Sequence, residues 1–137
     1  MKISIITFCI VTIALTGDCF GLSCHFASGS YTLPFGTLDP ASSANVTATV
    51  TITLTCTGTN ATWTLTSDNG KNYNGTSNRM RNQNNMTQYI PYSVTFSPTN
   101  GNRWTTTIRG SGTILNGNYI NAYIGPYTDQ ITLTVAP

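Results

Sequence analysis

Charged side chains are scarce in this sequence. Asp, Glu, Lys and Arg together make up 7% of the 137 residues, glutamate is absent, and the formal net charge is +2. An ordinary globular domain carries about 25% charged residues. Because so few cations cannot form a basic stripe, we expect no nucleic acid partner. The single histidine, His25, has no serine elbow or reactive thiol with which to build a catalytic triad, so the composition argues against an enzyme.

Long hydrophobic runs are also missing, with one exception at the N-terminus. Residues 3–15 form an apolar run behind one basic residue, but a helix that spans a bilayer needs about 20 residues. A charged start, a short apolar run and small residues at its exit are typical of a secretory signal peptide. We place its cleavage after Gly21, which gives residues 1–21 as the signal peptide and residues 22–137 as a single domain.

Two other interpretations of the N-terminus remain open. Cys19 could be retained and carry a lipid, although the preceding residues Thr16, Gly17 and Asp18 make a poor lipobox. The apolar run could instead be a core element of a cytosolic protein.

Cysteine is sparse, and the expected cleavage makes it sparser. It removes Cys9 and Cys19 from the four cysteines and leaves Cys24 and Cys56. Because exported proteins meet an oxidising compartment, the remaining pair is most simply one disulfide. Two thiols and one histidine are a thin ligand set, so we expect neither a metal nor a cofactor.

Alternation of apolar and polar residues is what the sequence has in quantity. In residues 45–56, NVTATVTITLTC, apolar residues alternate with threonine without a slip, which predicts a strand with one face towards a core. Shorter alternating runs occur around Trp63, at residues 90–96 and at residues 131–135. Asn-Gly pairs between such runs favour tight turns. The pattern predicts an all-β sandwich or barrel.

Two segments of the chain fit the strand pattern less simply. Pro91 lies inside the run YIPYSVTF, and since proline cannot donate to a strand ladder, that strand should start late or run along an edge there. Residues 119–124 are apolar or neutral on both faces, which favours a more central strand.

Three acidic residues remain after the expected cleavage, namely Asp39, Asp68 and Asp129. A pair of carboxylates for glycoside hydrolysis could come only from these three. Each lies in or beside a turn signal or a strand start. We therefore predict that they make local hydrogen bonds at turns and strand ends.

Five segments from Cys24 onward follow one another in a distinctive order. They are Cys24, PFGTLDP at residues 34–40, VTITLTCTG at residues 50–58, Arg79-Met80 followed by residues 89–94 and Trp104, and GPYTDQITLTV at residues 125–135. In order and spacing they resemble the spore coat protein U domain family, the fold of archaic chaperone–usher pilus subunits. The resemblance covers nearly all of the chain that follows the expected signal peptide.

This resemblance implies an incomplete immunoglobulin-like β-sandwich that lacks its last strand and carries one disulfide. Subunits of the family expose a hydrophobic groove beside the C-terminal strand, so Ile131, Leu133 and Val135 would form one wall. A periplasmic chaperone fills the groove first, and a neighbouring subunit then fills it at the outer-membrane usher. The implied role is that of a non-catalytic structural subunit of a surface fibre.

The residues ahead of Cys24 bear on the place of such a subunit in a fibre. Cleavage after Gly21 leaves only Leu22 and Ser23 before Cys24, and two residues span at most about 7 Å. A subunit of this kind accepts a donor strand but cannot supply one, which predicts a tip or initiating position. An arm encoded upstream of the given start is the competing explanation.

Two other functions stay open. The protein could be a stand-alone secreted coat protein without a role in a fibre. It could also be a secreted carbohydrate-binding sandwich that uses Trp63, Trp104 and the tyrosines, although buried aromatic side chains are the commoner explanation of such residues.

Overall fold

The computed structural model describes residues 21–58 and 61–137 and, for residues 2–7, the pairing of the backbone. The strands in chain order are β1 (Lys2–Thr7), β2 (Ser23–Phe26), β3 (Gly36–Thr37), β4 (Val46–Thr57), β5 (Trp63–Ser67), β6 (Asn78–Asn82), β7 (Tyr89–Ser97), β8 (Asn100–Gly101), β9 (Thr105–Ile114), β10 (Tyr127–Gln130) and β11 (Leu133–Ala136). A short 3-10 helix, Asn116–Asn118, follows β9. Most of the expected signal peptide, including Cys9 and Cys19, lies outside the described residues, and its cleavage stays a prediction.

Two sheets enclose the core. The larger has eight strands in the order β2-β4-β9-β7-β6-β10-β1-β3, and the smaller has three in the order β11-β5-β8. All the pairings are antiparallel except that of β1 with β10, which is parallel. The prediction of an all-β, sandwich-like fold with one disulfide is confirmed. No helix in the described part of the chain is long and apolar enough to cross a membrane.

The longest ladder joins β4 to β9, from Val46 opposite Ile114 to Thr55 opposite Thr105. Along β4 the apolar residues are buried or half-buried, while most of the intervening threonines are exposed, as the alternation predicts. Four of the ten largest fully buried side chains among the described residues belong to β4 and β9; the ten are Leu33, Leu38, Ile52, Leu54, Met80, Ile90, Ile108, Ile114, Tyr119 and Tyr127. Burying an aliphatic side chain of this size contributes about 1.5–3 kcal/mol, so β4 and β9 anchor the core.

A loop segment also contributes to this core. Leu33 and Phe35 lie outside the strands, yet they are 0% and 5% exposed. They pack where β9 has Gly112, and a Cβ at that position would fall 2.7 Å from Cδ2 of Leu33 and 2.6 Å from Cζ of Phe35. The glycine therefore supplies space for the loop to cross the sheet.

Pro91 lies inside β7, which starts ahead of it at Tyr89. Pro91 pairs with Arg79 of β6, whereas β7 pairs with β9 only from Ser93 onward. The strand therefore does not start late. On the side that faces β9, the stretch around Pro91 has no partner among the described strands, and the Pro91 carbonyl oxygen instead accepts from the Asn118 side chain at 3.0 Å. The stretch is therefore an edge, which is the second of the two expected arrangements.

Residues 119–124, predicted as a central strand, form turns and irregular chain instead. The backbone N–H groups of Tyr119 and Ile120 donate to the carbonyl oxygen of Asn116, and that of Ala122 donates to Tyr119. The side chain of Asn116 donates to the Ser42 carbonyl oxygen at 2.6 Å. The prediction was wrong because these asparagine-centred hydrogen bonds coil the segment, and apolarity alone does not distinguish a strand from a packed turn.

Candidate functional site

Ile131, Leu133 and Val135, the three residues predicted to line a groove, lie at and after the point where the chain leaves β10 and enters β11. Ile131 and Leu133 are buried, and Val135 is half-buried against the same core cluster. β11 pairs with β5 from Leu133 to Ala136 and, among the described strands, has no partner on its other side. These side chains pack in the core next to β11, the edge strand of the smaller sheet. Their role in receiving a partner strand stays a prediction.

The break itself separates β10, in the larger sheet, from β11, in the smaller one. Asp68 holds the chain there: its Oδ1 accepts from the N–H of Thr132 at 2.9 Å, and its own N–H donates to the Thr132 carbonyl oxygen at 3.0 Å. The alternating run at residues 131–135 therefore does not extend β10. It crosses to the other sheet at Thr132.

β1 occupies a strand-wide slot between β10 and β3. Both strands pair with β1, which lies parallel to β10, with Ile3 opposite Tyr127 and Thr7 opposite Gln130, and antiparallel to β3. Because neighbouring strands are about 4.8 Å apart, a strand with partners on both sides fills a gap of roughly 9.6 Å. β10 therefore has one edge on β6 and the other on a slot that accepts an extended backbone.

Asp129 is a buried carboxylate in β10, next to this slot. Its Oδ2 accepts a hydrogen bond from the Tyr92 hydroxyl at 2.7 Å, and its Oδ1 accepts from the backbone N–H and the side-chain Nδ2 of Asn72 at 3.1 and 3.0 Å. A Cβ at Gly70, whose φ is +82°, would collide with the carboxylate. The turn that carries Gly70 thus closes over Asp129.

Burial raises the pKa of the Asp129 carboxyl above its ordinary value, although the hydrogen bonds from Tyr92 and Asn72 oppose the shift by stabilising the anion. Burial also raises the pKa of Tyr92, and the hydrogen bond to Asp129 adds to that rise. The hydroxyl of Tyr92 is therefore the donor in this pair. Through these bonds one carboxylate ties β10 to Tyr92 of β7 and to Asn72 in the turn that follows β5.

The prediction of local hydrogen bonds for the acids is correct for Asp39 and incomplete for Asp68 and Asp129, which also make long-range bonds. Asp39 accepts from the N–H of Ala41 at 2.9 Å. Asp68 accepts from Gly70 at the same distance but also binds Thr132 across 64 positions of sequence. Asp129 bonds with the backbone of Gln130 beside it, but its partners Tyr92 and Asn72 lie 37 and 57 positions away. The spacing of the acids gave no signal for these distant contacts.

Cys24 and Cys56 form the disulfide that the sequence predicts. They lie directly opposite each other in the pairing of β2 with β4, and Cys56 is 1% exposed. The bond therefore ties a four-residue edge strand to its neighbour β4 in the larger sheet.

The two tryptophans differ in their surroundings. Trp63 is 2% exposed and belongs to the core, as is usual for such residues, whereas Trp104 is 70% exposed. Among the described residues, no three His, Cys, Asp or Glu side chains come together in a group that could hold a metal ion.

Comparison with known proteins gives one finding. The family model described as Spore Coat Protein U domain matches residues 9–127. No curated protein sequence matches the chain. The matched range includes the disulfide, the pairing of β4 with β9 and the first residue of β10.

Proposed function

We propose that this chain, which belongs to the Spore Coat Protein U domain family, is a structural subunit of a secreted surface fibre built by donor-strand complementation. The family is one of pilus- and coat-type subunits, associated with surfaces and not known for catalysis. Family membership shows a pilus- or coat-type subunit. The fibre, its assembly route and the position of this subunit in the fibre are what we propose.

The edge of β10 is the observation that carries this proposal. Among the described strands, only Lys2–Thr7 covers it, and the same residues belong to the expected signal peptide. Cleavage after Gly21 removes that strand and leaves the backbone N–H and C=O groups of Tyr127–Gln130 and Gly36–Thr37 on an open slot. An unpaired edge of this kind is a template for a strand from another chain, because the main-chain hydrogen bonds are then satisfied again.

The expected partners are proteins that can supply a strand to the open slot. In transit through the periplasm the slot takes a strand of an assembly chaperone, and at the outer-membrane usher it takes the N-terminal extension of a neighbouring subunit. Ile131, Leu133 and Val135 follow β10 along the chain and belong to the apolar core between the sheets, where we expect them to contact the apolar side chains of the incoming strand. The assembled protein then resides on the outer-membrane surface or in the fibre.

The same cleavage supports a tip or initiating position. It leaves Leu22 and Ser23 ahead of Cys24, and a donor strand of about ten residues reaches about 33 Å, far beyond what two residues span. The subunit then accepts a strand without supplying one. N-terminal sequencing of the exported protein tests this, and a mature start more than about ten residues ahead of Cys24 removes the argument.

A peptide experiment tests the slot directly. The exported protein is mixed with a synthetic peptide KISIIT, the sequence of Lys2–Thr7, and its melting temperature is measured. We expect the temperature to rise with peptide concentration, because the peptide restores the main-chain pairing of β10. Hydrogen exchange of the amides of Tyr127–Gln130 should slow at the same time.

A matched control separates strand pairing from nonspecific apolar binding. In a second peptide, Ser4→Pro removes one main-chain donor from the middle of the strand, and this peptide should have a much smaller effect. A folded, monomeric exported protein that responds to neither peptide would mean that the sandwich is complete by itself. The protein would then be a stand-alone coat protein.

A further inference from the structure

An exposed apolar surface lies at one end of the larger sheet. Seven large apolar side chains are exposed among the described residues: Tyr73, Met86, Trp104, Leu115, Ile120, Tyr123 and Ile124. Four of the seven come from two short segments, residues 83–88 between β6 and β7 and residues 119–126 directly ahead of β10. Neither segment contains a charged residue. Exposed apolar side chains that cluster in this way mark an interaction site.

Strand pairing brings the two segments to the same end of the sheet. β10 and β6 are antiparallel, so β10 starts where β6 ends, with Tyr127 opposite Asn82. Residues 119–126 lead into that start, and residues 83–88 follow that end. Both segments therefore flank the slot beside β10 at its Tyr127 end.

Asn82 holds the two segments together. Its Oδ1 accepts from two backbone N–H groups of the first segment, both at 2.8 Å, and its Nδ2 donates to the Tyr123 carbonyl oxygen at 3.4 Å. Gly125 packs directly on this side chain, since a Cβ there would fall 2.9 Å from Nδ2 of Asn82. The exposed side chains that the two segments carry are named the loop patch: Met86, Ile120, Tyr123 and Ile124.

The second segment is also anchored to the core. Tyr119 and Tyr127, on either side of it, are fully buried, and the Tyr127 hydroxyl donates to the Tyr123 carbonyl oxygen at 2.8 Å. Ile124 nevertheless remains 80% exposed. Because the backbone is already held, a partner that covers the loop patch has little extra chain to order, which lowers the entropic cost of binding.

We propose that the loop patch seats the leading residues of the incoming N-terminal extension, those that precede its pairing strand. The inference rests on the proposed function, because it requires a partner strand in the slot. β1 shows the direction that the slot accepts: it runs parallel to β10 with Ile3 opposite Tyr127, so the chain ahead of Ile3 lies at the loop patch. An extension that binds in this direction places its first residues there.

The surroundings of the loop patch define this flank. It is apolar and uncharged, since both segments lack charge. It is also short: Ile124 and Tyr123 lie three and four positions ahead of Tyr127, and four extended residues span at most about 14 Å. In KISIIT the residue ahead of Ile3 is the charged Lys2, so that peptide tests the slot without the patch.

Extended peptides separate the patch from the slot. The exported protein is titrated with KISIIT, VLVGKISIIT and TSTGKISIIT, each labelled with fluorescein at its C-terminus, and fluorescence anisotropy gives the Kd. VLVGKISIIT should bind about tenfold more tightly than KISIIT, which corresponds to burial of about 55 Å² of apolar surface. The polar extension of the same length should give the Kd of KISIIT.

Substitutions assign the gain to the patch. The double variant Tyr123→Ser/Ile124→Ser should lose the advantage of VLVGKISIIT, whereas its Kd for KISIIT and its melting temperature should not change, because both side chains are exposed. Trp104→Ser is the matched control. Trp104 is 70% exposed and precedes β9, which starts where β7 ends, at the opposite end of the sheet. This variant should keep the full advantage.

The outcomes separate this inference from the proposed function. A folded exported protein that binds none of the three peptides overturns both. Equal Kd values for KISIIT and VLVGKISIIT, or a gain that persists in the double variant, overturn the patch alone. A gain for KISIITGVLV in place of VLVGKISIIT overturns the assigned strand direction. Dimerisation of the exported protein, or its binding to phosphatidylcholine vesicles, that the double variant abolishes would give the patch to another occupant and overturn the inference.

Discussion

Replacing both Cys24 and Cys56 with alanine tests the covalent frame of the sandwich. Cys24 lies in β2, an edge strand of four residues whose one described neighbour is β4. The disulfide joins the two strands at a directly opposed pair. Without it, β2 is held only by a short ladder and by Phe26 in the core, so we expect a less stable but still folded protein.

The size of the effect follows from the loop that the bond closes. The two cysteines are 32 positions apart. In the chain-entropy model, a loop of this length removes about 12 cal/mol/K from the unfolded chain, or about 3.7 kcal/mol at 25 °C. For a domain of this size, 1 kcal/mol shifts the melting temperature by roughly 4 °C, so the variant should melt roughly 15 °C lower.

Guanidinium unfolding of the exported protein and of the double variant measures the difference. Mass spectrometry of unreduced peptides establishes the bond in the parent. Cys19→Ser is the matched control: it should leave the stability unchanged, since the expected cleavage removes position 19. A double variant within about 1 kcal/mol of the parent would refute the loop-entropy reasoning, and free thiols at both positions would refute the bond itself.

Three further substitutions test the core and its polar contacts. Burial raises the pKa of Asp129 above 3.8, so the folded state holds the carboxyl proton more tightly than the unfolded state does. The free energy of unfolding therefore falls as pH rises through the window above 3.8. In melting curves measured at a series of pH values, Asp129→Asn should remove this pH dependence. Ile52→Ala, at a fully buried position of β4, should cost about 2–5 kcal/mol in denaturant unfolding, whereas Thr51→Ala on the exposed face should stay within about 0.5 kcal/mol. Asn82→Ala removes the acceptor of two backbone N–H groups, both at 2.8 Å, so hydrogen exchange should quicken in the turn after β6; unchanged exchange there would contradict this role.

The sequence by itself determined the strand class, the long strand β4 and the disulfide. The alternation of residues 45–56 repeats every two positions, and a pleated strand places alternate side chains on opposite faces, so Ile52 and Leu54 could be assigned to the core from local pattern alone. The pairing of Cys24 with Cys56 followed from counting and from the redox compartment. The same alternation favoured a core position for Trp63, although a role in carbohydrate binding stayed open, and the structure places it in the core.

Only the tertiary structure decided where the last alternating run goes and which polar groups meet. Asp68 binds the backbone of Thr132 from 64 positions away, where the chain passes from one sheet to the other. Asp129 bonds with Asn72 and Tyr92, which lie 57 and 37 positions away. The loop patch likewise combines two segments that the pairing of β6 with β10 brings to one end of the sheet. Period and composition describe a residue and its neighbours along the chain, whereas these contacts depend on register and sheet packing, which bring distant segments together.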